Sequence, residues 1–151
     1  MKTNRQSKAR EVAFQILFSS KVGNEDIKNS MQTMFQTDQA KGLKGIVEKK
    51  IRTWNNNKEK IDSIIRSHLR RGKLEDLPNV SLCVLRLGIC EMEYMKEVPP
   101  RVAIDEAVEL VKKFGDPPSA GFVNGIMDAH LRQISAKGDE SEQNSEGNSG
   151  E

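Results

Sequence analysis

The chain has 151 residues, 30% of them charged and 36% apolar, with a formal net charge of +2. That length fits one domain, and a domain of this size removes roughly 70% of its unfolded surface from water. Nothing approaches the ~18 consecutive apolar residues of a membrane span, and Gln15 interrupts the early apolar run, so neither a membrane span nor a secretory leader is expected, and two cysteines placed among apolar residues suit a reduced, cytoplasmic protein.

The charge is unevenly placed. Residues 136–151 carry Asp139, Glu140, Glu142, Glu146 and Glu151 against Lys137 alone, which leaves residues 1–135 with 23 bases and 17 acids. Residues 1–10 hold Lys2, Arg5, Lys8 and Arg10 and no acid. A basic arm on a mildly basic body suits an anionic partner, although a solvated terminus explains the same charges. The acidic end could compete with such a partner for the arm, or serve only to keep the chain soluble.

Helical spacing runs almost throughout, and no strand-type alternation appears. Ala9, Val12, Ala13, Ile16 and Leu17 form one face of a first helix, widened by Phe14 and Phe18, and Gly23-Asn24 ends it. A weaker helix over about 26–37 uses Ile27, Met31, Met34 and Phe35. Gly42 and Gly45 precede a third, with Ile46, Val47, Ile51 and Trp54, that stops at Asn55-Asn56-Asn57. A fourth carries Ile61, Ile64, Ile65, His68 and Leu69 and is closed by Arg70-Arg71-Gly72-Lys73. Pro78 opens a fifth, through Val80, Val84, Leu85, Leu87, Ile89 and Met92, with so few polar positions that it reads as a central helix buried on most sides.

Pro99-Pro100 stops that helix. The sixth covers about 102–114, with Val102, Ile104, Ala107, Val108 and Val111 toward the core. Gly115-Asp116-Pro117-Pro118 breaks the chain, and Ser119 is placed to N-cap a seventh helix ending near Ile134. Beyond Ser135 the chain is Gly, Ser, Asn, Gln and acid, a composition expected to be a disordered tail over 136–151. The fold class is therefore all-α, about seven helices in a domain of 1–135.

No catalytic or metal constellation emerges. The two cysteines, Cys83 and Cys90, lie seven apart on one helix, ~10.5 Å between Cα atoms, beyond disulfide reach. They read as buried, inert thiols. His68 and His130 read as isolated, and there is no CxxC, HExxH, phosphate-binding loop or glycine-flanked serine. No metal, no cofactor and no enzymatic activity are expected. RNA binding has more support, since the arm supplies phosphate contacts and Phe114 and Phe122, beside Lys112 and Lys113, could offer stacking surfaces. Either phenylalanine could equally close the core.

Three stretches of the second half carry a resemblance. Val84-Leu85-Arg86-Leu87-Gly88 with Glu91-Met92, the run VAIDEAVELVKKFG at 102–115, and Ser119 followed by Phe122-Val123-Asn124-Gly125-Ile126-Met127-Asp128 resemble, in order and spacing, motifs of the NusB family of bacterial transcription antitermination factors. Lys8-Ala9-Arg10-Glu11 resembles that family's arginine-rich entry to its first helix. Within the last motif Gly125 is expected to permit close helix approach and Asn124 to bond a neighbouring backbone group. This sequence departs from the family at several positions: Gly72 stands for Trp, Asp76 for Arg, Cys90 for Tyr, Asp105 for Asn, Pro117-Pro118 where an acid is common and Ser81 where another is.

The resemblance implies two small packed helical bundles and a factor that binds the single-stranded boxA element of ribosomal RNA leader transcripts. It implies a small-subunit ribosomal protein, Nus factor E, as partner, with other Nus factors and RNA polymerase contacted through the complex. On that basis Lys2, Arg5, Lys8, Arg10, Lys112, Lys113, Phe114, Ser119 and Phe122 would face RNA. Ser81, Arg86 and Glu91 would lie near the protein partner. The alternative is a protein-interaction module of the same fold, including a homodimer joined through apolar helix faces, without specific RNA binding.

Overall fold

A computed structural model describes the backbone of residues 4–149 and the side chains of residues 4–138. Six α-helices make the fold: α1 (Arg5–Gly23), α2 (Ile27–Phe35), α3 (Lys44–Ser67), α4 (Asn79–Tyr94), α5 (Pro100–Phe114) and α6 (Pro117–Ser149). Short 3-10 turns at Asp38–Ala40 and Leu74–Asp76 join α2 to α3 and α3 to α4. There is no strand among the described residues.

The expected third and fourth helices are one continuous helix. Asn57 keeps only a kink there (φ −130°, ψ 17°). Its side-chain amide donates to the Thr53 carbonyl at 2.8 Å, the kind of back-bond one turn earlier that bends a helix. Counted on either side of the kink, the helical segments number seven.

Local chemistry explains the ends. Asn4 accepts from the Ser7 amide at 2.7 Å and caps α1. Asn24 closes that helix in the left-handed region (φ 49°), a conformation Asn tolerates better than most residues. At α6 the cap is Asp116 and not Ser119: the Asp116 carboxylate accepts from the Ser119 amide at 3.0 Å. Pro117 and Pro118 fill the first two helical positions, where a missing N–H costs nothing, so Ser119 falls third. The Ser119 hydroxyl first, and its backbone amide second, hold the exposed Asp116 carboxyl below its usual pKa. No proline follows Pro118, and the α6 backbone continues helical past Ile134 to Ser149, although composition favours a disordered tail from residue 136.

Helix α4 is the centre, with Leu82, Cys83, Val84, Leu85, Leu87, Ile89 and Cys90 all buried. It packs on α1, α3, α5 and α6. Burial raises the Cys83 thiol to about 11 and the Cys90 thiol to about 12, so both are inert at neutral pH. Close approach falls at Gly88 and not at Gly125: a Cβ at Gly88 would meet Met127 Cε at 2.5 Å, whereas at Gly125 it would meet nothing within 4 Å. The core face of α5 is rotated from the expected one. Ala103, Ile104, Ala107, Leu110 and Val111 are buried, and Val102 is exposed.

Candidate RNA-binding surface and its buried support

The arm divides into exposed and buried cations. Arg5 and Lys8 are exposed on the first turns of α1, and Arg5 Nη2 donates to the Gly42 carbonyl at 2.8 Å. Lys2 lies outside the described residues. Arg10 points inward and is 3% exposed. Its Nε lies 3.0 and 2.9 Å from the two Glu91 oxygens, its Nη2 2.8 Å from Glu91 and its Nη1 3.3 Å from Glu106. Lys50 Nζ of α3 is 2.9 Å from Glu91 Oε2, and Lys50 and Glu91 are each 1% exposed. The Ser7 hydroxyl donates to Glu106.

Four helices are therefore joined by one buried charge network. Its formal charges balance, two cations against two carboxylates, which is the condition for burying them. This overturns the placement of Arg10 on the RNA face and of Glu91 at the partner surface. Ser81 is buried too, its hydroxyl without a hydrogen-bond partner among the described residues, so it offers no partner contact. Lys50 was not singled out from sequence. The signal was there: it shares the helical phase of Val47, Ile51 and Trp54.

Of the three residues expected near a protein partner, Arg86 alone stays accessible. Its guanidinium grips Asp62 of α3 in a two-pronged contact at 2.9 and 3.0 Å. It also lines a groove of about 220 Å³ with Leu17, Ser20, Lys21, Glu25 and Trp54.

The aromatic candidates separate as well. Phe114 is half-buried and packs on the buried Phe14 with ring centroids 5.1 Å apart. Lys113 Nζ sits 5.4 Å from the Phe114 ring centre and 2.8 Å from Glu11. Phe122 is 38% exposed on α6, and Ser119 lies one turn before it. Lys112 and Lys113 are both exposed near the end of α5, Lys112 in a loose pair with Glu109 at 3.8 Å. Asn124 is exposed and makes no side-chain hydrogen bond among the described residues. The cleft between the α1 start, the Asp38–Ala40 turn and α5 has about 820 Å³ and mixed lining, Lys8 and Lys113 facing Glu11, Asp38, Glu106 and Glu109.

The model of the NusB family matches residues 7–132. The chain belongs to the NusB family. It is 36% identical over 119 residues to the transcription antitermination protein NusB of Bacillus mycoides, covering 79% of this chain and 91% of that one. The Bacillus licheniformis NusB is 38% identical over 124 residues, with 79% and 90% covered. Among solved structures, NusB from T. maritima superposes with a TM-score of 0.76 at 34% identity, covering 85% of this chain and 91% of that one. A crystal structure of antitermination factors NusB and NusE in complex with double-stranded RNA gives 0.77 at 29% identity, with 84% and 96% covered. The apolar positions of the NusB motifs of the second half thus fall mostly on the packing of α4, α5 and α6, with Val102 and Phe122 exposed.

The two histidines, read as isolated, meet. His68 Nε2 is 3.2 Å from His130 Nδ1, and His130 Nε2 is 3.2 Å from Glu93 Oε1. The chain's reversal after α3 brings together residues 62 apart in sequence, which no spacing rule anticipates. Burial lowers the pKa of both rings; His130 depresses His68 further, while Glu93 acts against the shift at His130. Both folded values lie below the ordinary value of about 6.5, so the unfolded chain binds more protons around that pH. Their contribution is fully present above it and is lost as pH falls through it. Denaturant midpoints should therefore drop between pH 7.5 and 5.5, and by less in His68→Gln. Parallel pH profiles for the two proteins would show that the pair does not set the dependence.

Proposed function

We propose that this chain is a transcription antitermination factor that binds boxA-type single-stranded RNA together with the ribosomal protein acting as Nus factor E. Its site of action would be the cytoplasmic transcription complex. The observation that carries the RNA reading is Phe122, a ring left 38% exposed on a helix whose neighbouring Val123, Ile126 and Met127 are buried. A single-stranded base can stack on such a ring, and every base has a face to offer. Family membership supports the antitermination role, and the likeness to the NusB of the NusB–NusE–RNA complex supports the partnership.

The groove at Arg86 and Trp54 is the proposed seat of the protein partner. It is accessible where Ser81 and Glu91 are not.

Electrostatics supplies the test. Arg5, Lys8, Lys112 and Lys113 are the exposed cations of the RNA face. Four phosphates neutralised on a single strand give a slope of log affinity against log salt of about −3. Fluorescence anisotropy with a boxA-type oligonucleotide and its scrambled counterpart, with and without the ribosomal protein, should show a slope at least this steep and tighter binding in the partner's presence. Affinity that ignores salt, or that the partner leaves unchanged for both oligonucleotides, would instead favour an interaction module without specific RNA binding.

A further inference from the structure

Most cations of the expected RNA face are already engaged. Arg10 is buried against Glu91, Arg5 holds the Gly42 carbonyl, Lys113 pairs with Glu11 and Lys112 with Glu109. The connection after α3 differs. Arg70, Arg71 and Lys73 are three exposed cations in four residues, and none has an ion-pair partner among the described residues. Gly72 between them takes φ +78°, a left-handed turn that suits glycine and reverses the chain at the cluster. Arg66, one turn earlier, makes only a long contact to Glu75 at 3.8 Å. Asp76 accepts from the Lys73 backbone amide at 3.3 Å, but no carboxylate pairs with the Arg70, Arg71 or Lys73 side chains among the described residues.

The position of this turn matters as much as its charge. Before it, His68 is hydrogen-bonded to His130 of α6. After it, Val80 lies against Gly115, the residue that leads into α6: a Cβ on that glycine would be 3.2 Å from Val80 Cγ1. The connection is thus held before the turn by His130 of α6 and after it by Gly115, and Ser119 and Phe122 lie between those two positions in the chain. Lys112 and Lys113 close α5, a few residues before Ser119 in the chain.

We propose that Arg70, Arg71 and Lys73 form a second phosphate-contact cluster that takes the backbone of the same single-stranded RNA whose base stacks on Phe122. The inference rests on the RNA-binding reading above and adds a flank to it. The strand passes between the cations of α1 and α5 on one side and the Gly72 turn on the other. Arginine suits this use, because its planar fork grips a phosphate with two parallel hydrogen bonds. The contacts are to backbone and carry no sequence information, so they strengthen cognate and scrambled RNA alike.

The test compares Arg70→Ala/Arg71→Ala/Lys73→Ala with the unaltered chain by anisotropy with a labelled single-stranded RNA across a salt series. Three lost contacts on a single strand should reduce the slope of log affinity against log salt by about 2, and weaken binding about tenfold or more at low salt. All three side chains are exposed, so the thermal midpoint should stay where it is. A charge-preserving Arg70→Lys/Arg71→Lys/Lys73→Arg chain should recover most of the slope. An unchanged slope and affinity in the alanine chain, while Lys8→Ala and Phe122→Ala weaken binding, would overturn the second cluster and leave the RNA reading standing. Full RNA affinity with weakened capture of the ribosomal protein would assign the turn to the protein partner and overturn it equally. Failure of the unaltered chain to bind RNA at low salt would overturn both.

Discussion

Glu91→Gln should be among the most destabilising single substitutions outside the apolar core, at about 3–5 kcal/mol. The glutamine keeps the shape and removes the charge that two buried cations share. Arg10 and Lys50 would then sit at 3% and 1% exposure with Glu106 as the remaining carboxylate. Arginine cannot shed its proton and the site admits little water, so the cost falls on the fold. Against a total stability of about 5–15 kcal/mol, that loss is large enough to leave a measurable unfolded fraction. Urea denaturation reads it directly.

Two comparisons separate this cause from a general sensitivity to lost carboxylates. Glu97→Gln breaks a contact of similar length, 2.7 Å to Lys49, between side chains more than half exposed. Screening should hold its effect below about 1 kcal/mol. Lys50→Met removes one cation and leaves Arg10 paired with Glu91, the excess negative charge falling on the partly exposed Glu106. It should cost distinctly less than Glu91→Gln. Equal losses in all three would mean that burial of the network plays no special part.

The elements that were legible in the sequence are those whose cause is local. Helical spacing located the segments, and the paired prolines at 99–100 and 117–118 marked the breaks into α5 and α6. The apolar density of 80–92 identified α4 as the central helix, which the structure bears out. The misreadings share a different origin. Asn55-Asn56-Asn57 looks like a stop, but an Asn side chain can bond back within a helix, and at Asn57 it does, leaving a kink. Arg10 looks like part of a solvated arm because charge alone does not say which side of a helix faces inward. Its phase with Ala9, Ala13 and Leu17 does, and the buried Lys50 follows the same logic among Val47 and Ile51. His68 with His130 depends on a tertiary neighbour and has no local signal at all.

Phenylalanine substitutions divide the candidate surface from the core most sharply. Phe14 is 1% exposed and lies between Phe18, with ring centroids 5.8 Å apart, and Phe114. Phe14→Ala leaves a cavity at the junction of α1 and α5, and should cost about 3–5 kcal/mol in stability. Phe114→Ala removes one wall of that cluster and the ring under Lys113, so a smaller but clear loss is expected, about 2 kcal/mol for a half-buried side chain. Phe122→Ala removes a ring that already meets solvent, and its effect on the denaturation midpoint should be the smallest of the three. If a base stacks there, RNA affinity falls by about 1–3 kcal/mol, roughly 5- to 150-fold. Phe122→Trp, which keeps a stacking face, should retain most of it. The salt slope should stay the same in both Phe122 variants, because no phosphate contact is lost. A large stability loss in Phe122→Ala with unchanged RNA affinity would return that ring to the core and remove the observation on which the RNA reading stands.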